Sequence, residues 1–304
     1  MALITSGTFS KAIWPGVEAW YGKAYDEFDV EYTDLFDKYE SHKQYEEDVG
    51  ISSFGLAAVK PEGQAVQYDT EQQGFITRYT HIVYALGFMV TKEAFEDDQY
   101  DVVAAKRAKE LAFSMRQTKE IVGSNVYNRA FNASYTGGDG VQMISSVHPN
   151  AVGGTWSNTL ATNANLSEAA LEQACIDVAR FTNDRGLRIA VMPNKIILPP
   201  ELMFEAERIV KSQYRVGTNN NDVSALVSMG KFKGGVVINH YLTSTTAWFI
   251  RNSNVPEGLK YLERRADSFD EDNDFDNDTA KFKASGRYAM GWTDPRAIYA
   301  AQGF

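Results

Sequence analysis

The 304-residue sequence predicts an α+β fold in which strands early and late in the chain share a sheet and an α/β unit is inserted between them. Three observations predict it. A β-rich stretch from Phe54 to Lys92 is broken by one strong turn signal, a long helical stripe begins near Asp101, and the second half alternates helices with strands before the chain returns to strands.

Residues 11 to 50 mix Trp14, Trp20, Tyr21, Tyr25, Phe28, Tyr32, Phe36 and Tyr39 with many acids and show only short helical periods, which predicts an arm and not a core. The ribbon follows. Its first arm, Phe54 to Val59, breaks at Lys60-Pro61-Glu62-Gly63, where proline presets φ and glycine permits positive φ. Its second arm, Phe75 to Val90, is rich in Thr, Tyr, Ile, Val and Phe, and its first ten residues alone would extend roughly 33 Å. Between the arms, Gln64 to Gly74 is polar and lacks an apolar period. A two-stranded ribbon is marginal by itself in water and has open edges, so it is expected to lie on a neighbour. An ordinary hairpin folded onto its own domain is the alternative.

From Asp101 to about Phe131, the residues Ala104, Ala108, Leu111, Met115 and Val122 recur at helical spacing, which predicts a helix of about 46 Å that Gly123 weakens or bends. The polar run Tyr135 to Gly140 ends it. Ser167 is placed to cap a helix carrying Leu171, Ala174, Cys175, Val178 and Phe181, with Asn183-Asp184-Arg185-Gly186 as its stop. Ile189 to Val191 and Lys195 to Leu198 are β-rich, and Pro199-Pro200 opens a further helix with Leu202, Met203, Ala206, Ile209 and Val210. Gly235 to Asn239 and Thr246 to Arg251 complete a small sheet. Leu259 to Ala266 and Thr279 to Trp292 then flank an acidic loop, and Ala297 to Ala300 closes the chain.

A hydrophobic content of 44% supports a substantial core. The lone Cys175 lies in an apolar helical pattern and reads as a small core residue. No signal peptide or membrane-length apolar run is present, so synthesis in the cytoplasm is expected. With 40 acids against 30 Lys and Arg, nucleic-acid binding by phosphate neutralisation is disfavoured.

Catalytic motifs fail one by one. Gly230-Lys231 lacks the upstream glycine and the following Ser or Thr of a phosphate loop, those positions being Ala225 and Phe232. Ser145, Ser146 and His148 sit close together without a Gly-x-Ser-x-Gly elbow, which leaves a hydrolase-like α/β enzyme only as an alternative. His42, His81, His148 and His240 are scattered, so no zinc site forms by spacing. Gly137-Gly138-Asp139-Gly140 does not open a helix after a strand, as a dinucleotide site requires. The run from Asp270 to Asp278 places Asp270, Asp272, Asp274 and Asp276 as weak ligand candidates for calcium. Phe275 stands where an EF-hand has its turn glycine and Lys281 where it has glutamate. A solvated acidic loop is the first reading, a calcium-binding module an alternative, and pairing with Arg264, Arg265, Lys281, Lys283 and Arg287 of another copy a third.

The order of arm, hairpin, long helix, α/β insertion and terminal strands, together with Gly87 through Asp98, resembles the major capsid proteins of tailed bacteriophages, the HK-ninety-seven-type shell fold. Further likeness lies in Asn219-Asn220-Asn221-Asp222, Ser228-Met229-Gly230, Asn239 through Thr243 with Trp248-Phe249-Ile250, and Arg287-Tyr288 with Gly291 through Arg296. Within that fold a Mu-like head-subunit branch is the nearer likeness.

The resemblance implies an N-terminal arm (1–49), an extended hairpin or E-loop with flanks (50–92), a spine helix and peripheral domain (93–140), an inserted α/β axial domain (141–251) and peripheral-domain strands with the acidic loop (252–304). It implies a non-enzymatic protein without cofactors that self-assembles as pentamers and hexamers into a virion shell around double-stranded DNA, made and assembled in the host bacterial cytoplasm. Scaffolding and portal proteins are the implied partners, with room for a decoration protein; sequence-specific nucleic-acid binding and membranes are not implied. No charged helical leader precedes the arm in this sequence, so the expectation is that a fused scaffolding segment was removed or that scaffolding is a separate protein. Inter-subunit contacts are expected at Trp14, Trp20, Tyr21, Lys60, Pro61, Glu62, Gly63, Gln64, Tyr68, Asp69, Phe75, Arg78 and Tyr79. These favour aromatic faces with polar tips and the exposed turn.

Overall fold

A computed structural model describes residues 18–27, 29–91, 93, 100–214, 222–255, 257–274 and 279–304, and within these the side chains of 100–104, 273 and 274 lie outside the description. Helix α1 (18–26) and the single turn α2 (Tyr32–Leu35) lead into β1 (Asp37–Glu40). Tyr21, Ala24, Tyr32, Leu35 and Phe36 are buried, so from residue 21 this segment belongs to the body and is not a free arm. Its apolar faces are few but large, and aromatic area among many acids gives no clear period along the sequence.

Strands β2 (Tyr45–Ile51) and β3 (Gln73–Thr80) pair antiparallel from Tyr45↔Thr80 to Ile51↔Gln73. The ribbon is therefore real, but its first strand is not Phe54 to Val59. Gly55, Ala57 and Ala58 offer little to pack, whereas in β2 the Tyr45 ring lies under the Arg78 guanidinium at 3.8 Å and Glu47 faces Arg78 at 3.9 Å. Residues 52–72 carry no strand and form a strap beyond the ribbon's far end. After His81 the chain leaves β2, and β4 (Ile82–Thr91) joins another sheet. The expected boundary between 49 and 50 thus falls inside β2.

Helix α3 (Tyr100–Asn128) has 29 residues and spans about 44 Å. Ala108, Leu111, Ala112 and Met115 form its buried stripe with Tyr21, Val90, Phe282 and Ala284. It runs unbroken through Gly123. A Cβ there would stand 3.3 Å from the Tyr32 Cβ and 3.2 Å from the Met290 sulfur, so this glycine permits close approach instead of a bend.

The inserted unit begins with the short pair β5 (His148–Pro149) and β6 (Thr155–Trp156), followed by α4 (Glu168–Ala179). Ser167 caps α4, its hydroxyl accepting from the Ala170 amide at 3.2 Å. The helix stops well before Gly186, which at φ +78° shapes a separate turn closed by the Thr182↔Arg188 bridge. Then come β7 (Met192–Leu198), a 3-10 turn (Pro200–Leu202), α5 (Met203–Lys211), α6 (Ala225–Ser228), β8 (Val236–Ile238) and β9 (Trp248–Ser253). Ile189 to Val191 is not a strand, because Ala190 takes the left-handed φ of +50°. Finally β10 (Leu259–Asp274), β11 (Thr279–Trp292) and β12 (Ile298–Ala301) close the chain.

Two four-stranded sheets organise these elements, ordered β1-β10-β11-β4 and β12-β9-β7-β8. Early and late strands do share the first sheet. The last strand, β12, crosses to the sheet of the inserted unit and pairs with β9, so the unit expected at 141–251 is completed from outside that range. Tyr127, Met143, Ile144, Ile197, Phe249, Tyr261, Tyr288 and Ile298 make one core that joins both sheets and the end of α3. Among the described residues no helix is long and apolar enough to cross a membrane.

Candidate assembly surface

The strap is the exposed part of the molecule that its own fold leaves unused. Leu56 is 85% exposed, Val59 95% and Tyr68 95%, and Phe54 and Val66 are exposed beside them. Lys60, Pro61, Glu62, Gly63 and Gln64 are exposed at the turn, where Gly63 has φ +78° and the Gln64 amide donates to the Pro61 carbonyl at 3.2 Å. Asp69 organises the strap. Its carboxylate accepts from the Gly55 amide at 2.7 Å and the Thr70 amide at 2.8 Å, and these bonds hold its pKa below the usual carboxylate value. Arg185, from the turn after α4, donates to the Thr70 carbonyl at 2.6 Å.

The ribbon below the strap is firmly seated on its own chain. The Tyr79 hydroxyl meets the Thr293 hydroxyl at 2.6 Å, Thr293 donates to Asp48 at 2.6 Å, and Lys260 donates to the same carboxylate at 2.6 Å. Gly138 brings the 135–140 turn against β3, since a Cβ there would lie 2.6 Å from the Ile76 carbonyl oxygen.

The residues expected at inter-subunit contacts therefore divide. Lys60, Pro61, Glu62, Gly63, Gln64, Tyr68, Asp69, Phe75 and Arg78 are exposed, Trp20 is half-buried, and Trp14 lies outside the described residues. Tyr21 and Tyr79, each 5% exposed, are corrections: both are buried within their own chain. Tyr21 packs on Phe269 with ring centroids 5.0 Å apart, and Tyr79 lies over Gly291, where no side chain obstructs the ring.

The acidic run is also corrected, since β10 continues through Asp274 and most of the run is strand. Asp270 and Asp272 lie opposite Lys283 and Lys281 of β11, and Asp274 opposite Thr279. Alternation sends Asp270 and Asp272 to one face, beside the lysines of the next strand, so the pairing with Lys281 and Lys283 occurs within one chain. Asp276 lies outside the described residues. Among the described residues no group of three potential ligands converges as a metal site.

The Ser145 and His148 pair is not a catalytic arrangement. Ser145 Oγ accepts from the Val147 amide at 3.2 Å, while His148 is fully buried with Nδ1 2.7 Å from Asp139 and Nε2 3.2 Å from the Asn158 amide oxygen. The Asn158 amide nitrogen donates to the carbonyls of Met143 and Pro295, so the place a nucleophile would need is taken by an amide that ties three segments together. Trp156 stacks on the His148 ring and carries Arg296 on its indole at 4.5 Å. A half-open cavity of 410 Å³ near the end of α3, lined by Tyr127, Phe131, Leu242 and Phe249, contains no acid, histidine, lysine or cysteine.

Sequence reading missed the most buried ionic group. Lys119 and Asp267, each 3% exposed, are 3.0 Å apart, and the Tyr25 hydroxyl donates to Asp267 at 2.5 Å. Burial first, then that hydrogen bond, raises the Tyr25 pKa. The group pins α1 across α3 and β10.

Comparison with known proteins accords with this architecture. No curated protein sequence matches the chain. A sequence model of the family described as phage capsid protein matches residues 75–301. Among solved structures, the chain is similar to the procapsid of bacteriophage JBD30 (13% identity, TM-score 0.55, covering 99% of this chain and 77% of that one). It is also similar to the capsid of cyanophage P-SCSP1u (10% identity, TM-score 0.54, 91% and 88%) and to the virus-like particle from Pyrococcus furiosus (14% identity, TM-score 0.50, 94% and 97%). At such identities these structures speak for the fold, while the family match spans most of the chain: this protein belongs to the phage capsid protein family, a self-assembling shell subunit and not an enzyme.

Proposed function

We propose that the chain is the major head subunit of a tailed phage, forming pentamers and hexamers of an icosahedral shell around double-stranded DNA, with the 52–72 strap lying on a neighbouring copy. The observation that carries this reading is the strap itself, a run of exposed Phe54, Leu56, Val59, Val66 and Tyr68 held in shape by Asp69 but left uncovered by the other described residues. Burying a large apolar side chain contributes roughly 1.5–3 kcal/mol, so these five offer on the order of 10 kcal/mol to a neighbour before ordering costs. A shell subunit needs many heterologous contacts that close by symmetry, and a projecting strap supplies reach that a flat patch lacks.

In this reading the ribbon and strap are the E-loop, α3 is the spine helix, the sheet β1-β10-β11-β4 belongs to the peripheral domain, and the sheet β12-β9-β7-β8 belongs to the axial domain. Residues 1–49 correspond to the arm of that fold, although from residue 21 they pack on their own body. Assembly in the host bacterial cytoplasm with scaffolding and portal proteins as partners is part of the same reading. The test is deletion of Lys60 to Gln73. The expected subunit is soluble, unfolds cooperatively and gives no closed particles by negative-stain microscopy and sedimentation. Particles of normal yield overturn the reading.

A further inference from the structure

Among the described residues, three nitrogen atoms lack hydrogen-bond partners, two in the first sheet and one on the residue that leads into β4. His81 is 4% exposed, its Nε2 lies 3.0 Å from the Ser41 hydroxyl, and its Nδ1 has no hydrogen-bond partner. Arg264 Nη1 and Arg287 Nε are buried and equally unpartnered. Among the described residues no carboxylate pairs with either arginine. The two arginines lie close enough to His81 to push its pKa down, after burial and against a smaller opposing effect of Glu46.

The strand register explains the convergence. Glu263 pairs with Tyr288 and Arg265 with Arg287, so Arg264 is the extra residue of a β-bulge, a device that re-aims a side chain. Tyr288 faces the core, which puts Arg287 on the opposite face, level with Val83 of the edge strand β4. Arg265 donates to Ser285 Oγ at 2.8 Å, so it too finds no acid. Buried cationic donors without an acceptor are costly, and this chain otherwise has an excess of acids.

We propose that His81, Arg264 and Arg287 form a carboxylate receptor for the strap of a second copy of this chain, with Glu62 and Glu71 as the incoming acids. This rests on the strap reading above and names the surface that receives it. The strap carries three acids against one lysine, and Glu62 and Glu71 are exposed without partners among the described residues. Its apolar side chains match the exposed Val83 and Met89, which alternation puts on the same face of β4 as Arg287. In its own copy the strap is directed elsewhere. The strap leaves from Ile51↔Gln73, seven residues and roughly 24 Å along β3 from the Thr80 end that adjoins His81, and its Thr70 is held by Arg185 instead.

The test uses full-length chains. Arg264→Glu with Arg287→Glu is expected to leave subunit unfolding cooperative but lower particle yield about tenfold or more, as for a truncated buried charge pair. Adding Glu62→Lys and Glu71→Lys to that chain is expected to restore particles. Arg264→Gln with Arg287→Gln serves as the milder pair where charge reversal disturbs folding. Separately, Glu62→Cys chains co-assembled with Arg264→Cys chains should yield a dimer with a short bismaleimide, and neither variant alone should, since Cys175 is buried. Normal particle yield in the paired arginine variants, no restoration by the strap reversals, or no inter-chain product overturns the proposal. If deleting the strap blocks assembly while the arginine variants assemble normally, only the receptor assignment fails. If the deletion itself leaves particles intact, the strap reading fails with it.

Discussion

Lys119 and Asp267 show how single residues commit the subunit to one packing. Neither charge is solvated, so each depends on the other and on Tyr25. Asp267 reaches the helix across Gly286, where an added Cβ would collide with its carboxylate, so the glycine and the ion pair are one arrangement. Asp267→Asn is expected to cost about 3–5 kcal/mol, read as a lower urea midpoint of the soluble subunit, because Lys119 would remain buried and uncompensated. Lys119→Met with Asp267→Leu should recover much of that loss. Glu120 makes a different commitment. It is 1% exposed and its carboxylate accepts from the Glu31 amide at 3.1 Å and the Tyr32 amide at 2.8 Å, holding the start of α2 to α3. Burial outweighs those two bonds and lifts its pKa to about 7. The folded value lies above the unfolded one, so the native state holds the proton more tightly, and this contribution is fully present below about pH 4.5 and lost as pH rises to about 7. The loss is on the order of 3 kcal/mol, and Glu120→Gln should flatten this part of the stability profile in thermal melts from pH 5 to 8.

At the level of elements, the acidic run is a ladder and should behave as one. Replacing Asp270 and Asp272 with Asn removes cross-strand partners of Lys283 and Lys281, and is expected to cost about 1 kcal/mol or less per pair. Calcium should leave the melting temperature of either protein unchanged; a calcium-dependent rise present only in the parent would favour a metal site. The sequence made α3 legible because Ala108, Leu111 and Met115 repeat at helical spacing, and it made the 60–63 turn legible because Pro61 and Gly63 have local backbone effects. Pairing partners were harder to read. Nothing within Tyr45–Ile51, with Glu46, Glu47 and Asp48 in a row, announces a strand, because its stability comes from Arg78 and Lys260, far away in sequence. The same distance hid the burial of Tyr21 and Tyr79, while the exposed strap residues Lys60 to Gln64 and Tyr68 were readable from turn chemistry and polarity. The cation cluster at His81 escaped as well, since a bulge at Arg264 is a property of the paired strands.

For the whole molecule, the fold decides how a shell subunit meets the genome it encloses. The chain has a formal charge of −10, yet α3 carries Lys106, Arg107, Lys109, Arg116 and Lys119, which by sequence alone could form a basic strip. The fold divides that strip. Arg116 and Lys119 are buried, with Arg116 donating to the Tyr25 carbonyl and Lys119 paired with Asp267. Of the exposed three, Lys106 faces Glu110 at 4.0 Å and Arg107 donates to the Met89 carbonyl at 2.9 Å. Lys109 alone remains as an exposed cation of this set with no such contact among the described residues, too few charges for a phosphate-binding face. Affinity for duplex DNA scales with the number of phosphates neutralised, and its salt dependence is about 0.9 decades per decade of salt for each contact. Purified capsomers are therefore expected to bind duplex DNA weakly, with a log-log salt slope of about 2 or less, and Lys109→Ala should change it little. Micromolar binding at physiological salt with a slope near 3, abolished by neutralising Lys106, Arg107 and Lys109, would require a basic face that these contacts exclude. Weak binding of this kind fits a shell wall that encloses DNA without holding it, because a wall that held each phosphate tightly would resist the entry and release of the same molecule.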